Sequence, residues 1–230
     1  MAVYDLEEQE QIAALRSWWK QYGGWATGIL LVVAMGWLGW YGWQSYLKSQ
    51  NAEASRVFLV LQQASAQQNT SQVKQAAGEL VNQYPRSQFA SLGALLAATT
   101  LEAAGDSKSA EAQLIWVADN GKDALRGVAR LRLAGIQMDQ EDYDAALKTL
   151  SETPPAGFAA RYDAARGDVY VALGKSTEAR ASYDAALKNL DASSKEVTPS
   201  SEFAGSEPGQ LLRRLVVEKR DALTTVTTGK

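Results

Sequence analysis

Two of the Ser-x-x-Lys pairs in this sequence, Ser45 with Lys48 and Ser71 with Lys74, are the nearest it comes to a nucleophile beside a base. A Ser–Lys dyad needs a desolvated lysine of depressed pKa and supporting Ser-Asp-Asn and Lys-Thr-Gly motifs, and neither motif occurs. Ser71 reads instead as a helix N-cap. The acidic group Asp139, Glu141, Asp142 and Asp144 has the charge to attract a cation. It lacks the glycine and the downstream bidentate Glu of a calcium loop, so a solvated turn between helices describes it better. There is no phosphate-cradling Gly-x4-Gly-Lys-Ser/Thr, and nothing singles out a carboxylate pair for acid–base hydrolysis.

Composition points the same way. The 230 residues include no His and no Cys, which removes the usual general base near neutral pH, the common metal ligands and every thiolate nucleophile. With 23 basic and 26 acidic residues the net charge is −3, so there is no basic footprint for nucleic acid. The sequence predicts no catalytic residue, no metal and no cofactor. What remains is binding, and the elements that would position a binding surface are helices.

Residues 23–43, "GGWATGILLVVAMGWLGWYGW", carry no charge over 21 residues. At about 1.5 Å per residue a helix of that length reaches roughly 30 Å, the thickness of a bilayer's hydrocarbon core. Trp18, Trp19, Tyr22 and Trp25 gather at one end and Trp40, Trp43 and Tyr46 at the other, as in interfacial aromatic belts. The acidic start, the long apolar stretch and the distant Ala52-Glu53-Ala54 argue against a cleaved signal. The expectation is one transmembrane helix over 23–46. Arg16 and Lys20 before it, against Lys48 and Arg56 after it, lean towards a cytoplasmic N-terminus. Gly24, Gly28, Gly36, Gly39 and Gly42 fall within about 120° of one helix face, either as a packing surface for a neighbouring helix or because glycine is common in spans.

Downstream, a helix–turn–helix pattern recurs. The turns fall at Gly105-Asp106, at Asp139 to Asp142 and at Gly174-Lys175, and Ala110, Ala146 and Ala179 are 36 and 33 residues apart. That brackets the 34-residue period of tetratricopeptide repeats. A weaker first hairpin runs from Ala54 to Tyr84-Pro85. The fold class is therefore all-α: an N-terminal single transmembrane helix followed by a tetratricopeptide-like array of helical hairpins. The divisions are an amphipathic cytoplasmic lead-in (1–22), the span (23–46), the repeats (47–190), a Ser- and Glu-rich loop (191–208), and a capping helix with its tail (209–230). The first helices of the hairpins would offer Leu131, Met138, Arg161, Asp168 and Val171 to a partner. The alternative for each is a place in the core or a solvated ion pair.

The order of these parts is specific. An acidic start with a tyrosine, "MAVYDLEEQEQIAALRSWWKQYG", a glycine-rich stretch, and degenerate hairpins through "YPRSQFASLGALLAATTLEAAGD" and "RLRLAGIQMDQEDYDAALKTL" resemble the YfgM-type ancillary subunits of the SecYEG translocon. The resemblance covers most of residues 1–190 and leaves out the loop and helix beyond. It implies a single-pass protein of the bacterial inner membrane with a periplasmic repeat domain. It also implies contact with the lipid bilayer, SecYEG, a PpiD-type periplasmic chaperone and an envelope-stress regulator, and a role in handing over newly translocated chains. It brings no catalytic residue. Two other readings stay open: a scaffold or regulator of another envelope complex, and a carboxylate-based hydrolase.

Overall fold

The computed structural model describes residues 4–195 and 207–227, and every regular element among them is helical. The elements are α1 (Tyr4–Ala66), α2 (Thr70–Gln83), α3 (Gln88–Ala103), α4 (Ser107–Asn120), α5 (Asp123–Asp139), α6 (Tyr143–Ser151), α7 (Ala159–Ala172), α8 (Ser176–Lys195) and α9 (Glu207–Thr227). The chain divides into two units, Met1–Ala52 and Glu53–Lys230.

In the first unit α1 is unbroken, but the expected transmembrane helix at 23–46 is corrected. Among the described residues, no helix is long and apolar enough to cross a membrane. Freedom from charge is not the same as hydrophobicity. The strongly aliphatic run is only Ile29 to Val33, and around it stand glycines, tryptophans and tyrosines, whose transfer into hydrocarbon gains little. With the span go the single-pass inner-membrane location, the cytoplasmic N-terminus and the periplasmic repeats inferred from it. The belt residues Trp18, Trp19, Tyr22, Trp25, Trp40 and Trp43 are exposed along α1, and Tyr46's side chain lies outside the described residues. A methyl group added at Gly24, Gly28, Gly36, Gly39 or Gly42 would meet nothing within 4 Å. Gly24 and Gly28, with Trp25, Ile29, Val32 and Val33, line an open groove along the helix.

The second unit is an array of four helical hairpins: the end of α1 with α2, α3 with α4, α5 with α6, and α7 with α8. Each turn is built alike. A residue in the left-handed region ends the first helix: Gln68 (φ 54°), Gly105 (φ 81°), Glu141 (φ 61°) and Gly174 (φ 70°), spaced 37, 36 and 33 residues apart. The next amide donates back across the turn, from Asn69 to Ala64 O, Asp106 to Leu101 O, Asp142 to Gln137 O and Lys175 to Tyr170 O, at 2.8–2.9 Å. This six-to-one bond satisfies a carbonyl that the helix end would otherwise leave without a partner. In three hairpins the same residue caps the next helix, with Asn69, Asp106 and Asp142 accepting from the amides of Gln72, Ser109 and Ala145 at 3.1 Å. Ser71, expected as the cap, lies inside α2.

From these turns the core follows by counting. Five residues on stand Val73, Ala110, Ala146 and Ala179, all fully buried, and nine on stand Ala77, Leu114, Leu150 and Tyr183, also buried. Small residues let helices approach where large ones fill: a methyl group on Gly167 would lie 2.4 Å from the Tyr183 ring, and one on Gly93 2.4 Å from Leu80. α9 closes the array on α8. Its Val216 joins Ala164, Ala179, Tyr183 and Ala186 in the last core cluster, and Arg213 and Arg220 reach Asp191 (2.7 Å) and Asp184 (3.4 Å).

The Asp106 turn gives a pH prediction. Its carboxylate accepts from Lys74 and from Ser109, and these bonds hold its pKa down from 3.8 to about 2. A folded value below the unfolded one means that the stabilisation is present above about pH 4 and is lost as pH falls through about 2. Asp106→Asn is therefore expected to flatten the acid limb of a midpoint-against-pH curve between about pH 4 and 2. An unchanged slope would contradict this assignment.

Candidate functional site: a groove on the first helices

The first helices of successive hairpins are neighbours. Ser65 Oγ meets Thr100 Oγ1 at 2.6 Å between α1 and α3, and Arg132 Nη1 donates to Thr99 Oγ1 at 2.5 Å between α5 and α3. Between α3 and α5 lies a groove of about 430 Å³ lined by Thr99, Glu102, Arg132, Gly135, Met138 and Asp139. The repeat explains why these residues meet. Thr99 and Gly135 stand six residues before their left-handed turn residues, and Glu102 and Met138 stand three before. In the last hairpin the same two places hold Asp168 and Val171, and i, i+3 positions share a helix face.

The groove is amphipathic. Gly135 and the half-buried Met138 give it a floor that a partner can press against, and methionine adapts to irregular shapes. Glu102 and Asp139 put two carboxylates on its walls. Arg132 spends a donor on Thr99, and no salt bridge among the described residues engages Glu102 or Asp139.

The residues expected to face a partner are not all together. Met138 lines this groove. Leu131 and Met138 are half-buried and pack against the core cluster of Leu150, Phe158 and Tyr162. Asp168 lies one hairpin further on and is held there. Lys219 Nζ of α9 donates to both its oxygens at 2.8 Å, and Tyr183 Oη donates to Oδ1 at 2.7 Å. Val171 is 44% exposed. Arg161 sits over the Phe158 ring, 5.2 Å from its centroid, and burial lowers its pKa. Arg161 and Asp168 thus have separate surroundings. Thr99, Glu102, Arg132 and Gly135 were missed by the sequence reading. The signal was available as positional equivalence with Met138, once the turn residue of each hairpin is used as the origin.

Among the described residues no group of three or more His, Cys, Asp or Glu could hold a metal ion. The turn carboxylates Asp139, Glu141, Asp142 and Asp144 do not converge, since Asp142 is spent on the cap of α6.

A family model described as a tetratricopeptide repeat-like domain matches residues 16–200. The chain is 35% identical over 187 residues to an ancillary SecYEG translocon subunit of Neisseria gonorrhoeae, covering 80% of this chain and 90% of that one. It is 29% identical to the protein of the same name from Haemophilus influenzae (81% and 91% covered) and 28% identical to that from Escherichia coli (87% and 93% covered). No solved structure matches the chain.

Proposed function

We propose that this chain, which belongs to the YfgM-type family of ancillary SecYEG translocon subunits built on a tetratricopeptide repeat-like domain, associates with the translocon and holds a protein partner in its α3–α5 groove. The observation that carries this is the 35% identity to a protein of that name over 80% of the chain. The groove supports the binding half, because it joins an apolar floor to charged walls on a face that the hairpins leave open. The role is one of interaction and not of enzymatic turnover.

The finer reading is handover. A chain emerging from the translocon is held briefly and passed to a PpiD-type chaperone, and an envelope-stress regulator is a further partner of the same surface. Association with the exit site raises the local concentration of a weak binder, so brief contacts suffice. A photo-crosslinking side chain at position 138 tests this directly. During export it is expected to give adducts with a translocon subunit, the chaperone or an exported chain, whereas the same probe at the exposed Ile115 of α4 gives none. Equal labelling from both positions, or none from position 138, would contradict the proposal.

A further inference from the structure

We infer that α9 is an electrostatic latch: it closes the free end of the repeat array at low ionic strength and comes off as a unit when its charges are screened. Neither face of this latch belongs to the α3–α5 groove. Three ion pairs among the described residues join α9 to the last hairpin, and in each the cation stands on α9. Arg213 meets Asp191 at 2.7 Å, Lys219 meets Asp168 at 2.8 Å, and Arg220 meets Asp184 at 3.4 Å. A basic side of α9 thus lies on an acidic side of α7 and α8. Every side chain in these pairs keeps 28–57% of its surface in water, so salt reaches all three. The screening length falls from about 10 Å at 0.1 M salt to about 3 Å at 1 M.

Apolar contact is only part of the hold. Val216 is buried in the cluster of Ala164, Ala179, Tyr183 and Ala186, and Leu212 and Leu223 pack against it half-buried. Leu211 and Leu215, however, are 54% and 45% exposed, so much of the helix's aliphatic surface faces away. Salt weakens exposed ion pairs and does not weaken an apolar seal, so ionic strength separates the two contributions. A helix on its own draws little stability from propensity, and α9 therefore loses its helix when it leaves. α7 and α8 stay paired without it, since Tyr183 fills the space beside Gly167 and Asn189 holds Asp163. Release uncovers the side of the cluster on which Val216 sits. The match to the repeat-like domain ends at residue 200 and α9 begins at Glu207, so the covered face belongs to the domain and its cover to the segment that follows.

Hydrogen exchange of the full chain, read by mass spectrometry in low salt and in about 1 M sodium chloride, tests this. The amides of α9 are expected to exchange at least roughly fivefold faster in high salt, while those of α3–α8 change less than about twofold. Arg213→Gln with Lys219→Gln is expected to give the fast exchange of α9 already in low salt and to remove most of its salt response. The exchanged pair, Asp191→Arg with Arg213→Asp, is expected to keep α9 slow in low salt and salt-sensitive, because it restores the attraction with the signs reversed. These side chains are exposed or half-buried, so the variants are expected to keep the circular dichroism of the unaltered chain. Exchange of α9 that is the same at both salt concentrations would overturn the inference, and so would a salt response that survives the double glutamine variant. Exchange of α8 that rises together with α9 would also overturn it, because the last hairpin would then be unfolding instead of releasing its cover.

Discussion

Tyr183→Ala is expected to lower the stability of the last hairpin by about 3–5 kcal/mol, the range for emptying a large aromatic site. The ring is 1% exposed and fills the space that Gly167 leaves by having no side chain. The backbone of α7 cannot simply move in, because Tyr162 and Val169 of the same helix are pinned in the core. The loss also reaches α9. The Tyr183 hydroxyl and Lys219 share Asp168, and Val216 packs in the same cluster as the ring. Stability in a repeat array is a sum of local terms, so the effect is expected as an early transition confined to α7–α9, not as a shift of the whole curve. Denaturant unfolding followed by circular dichroism, with limited proteolysis of α9, measures it. Tyr183→Phe keeps the ring and is expected to cost about 1 kcal/mol, the worth of one hydrogen bond. Equal losses for the two variants would place the effect in the hydroxyl and contradict the packing account.

The second large effect is expected at Asp163, which is 5% exposed inside α7. Its carboxylate accepts from Arg166 and, at 2.6 Å, from Asn189 Nδ2 of α8, while Arg166 Nη1 donates to Leu150 O of α6 at 3.2 Å. One buried charge thus ties three helices. Asp163→Ala leaves Asn189 Nδ2 without this acceptor and the Arg166 charge with only the Leu150 carbonyl, and is expected to cost about 3 kcal/mol. That is the low end for breaking a buried pair, because Arg166 keeps a third of its side-chain surface in water. Removing both charges together, Asp163→Leu with Arg166→Leu, is expected to recover most of that loss, since the penalty comes from the charge left behind. A double variant as unstable as the sum of the singles would show the two residues acting independently.

The hairpins were legible in the sequence because their core positions are spaced by the repeat. Ala110, Ala146 and Ala179 mark the same buried place in three successive second helices, and glycine announces the turns at 105 and 174. The first hairpin was fainter because its turn residue, Gln68, adopts the left-handed conformation without being glycine, so its residue type does not flag the turn. Asp163 and Gln137 are buried polar residues whose partners, Asn189 and Thr149, come from the next helix, and a pattern that runs along one helix cannot see them. The same limit hid the groove: Arg132 meets Thr99 only after two hairpins have stacked.

The reading of residues 23–46 as a span failed for a different reason. It counted missing charges instead of summed apolarity, and glycine and tryptophan are uncharged without being strongly apolar. Asp168 shows a subtler case. Charge on a helix facing other helices does need a reason, and in this chain the reason is Lys219, fifty-one residues away.

The measurement that tests the central claim most directly is purification of the full-length chain from its native cells in mild detergent, with the bound proteins identified. The account predicts SecY together with a PpiD-type chaperone, with recovery of the chaperone reduced by Met138→Glu. Recovery of another envelope complex, with no translocon subunit above background, would contradict it.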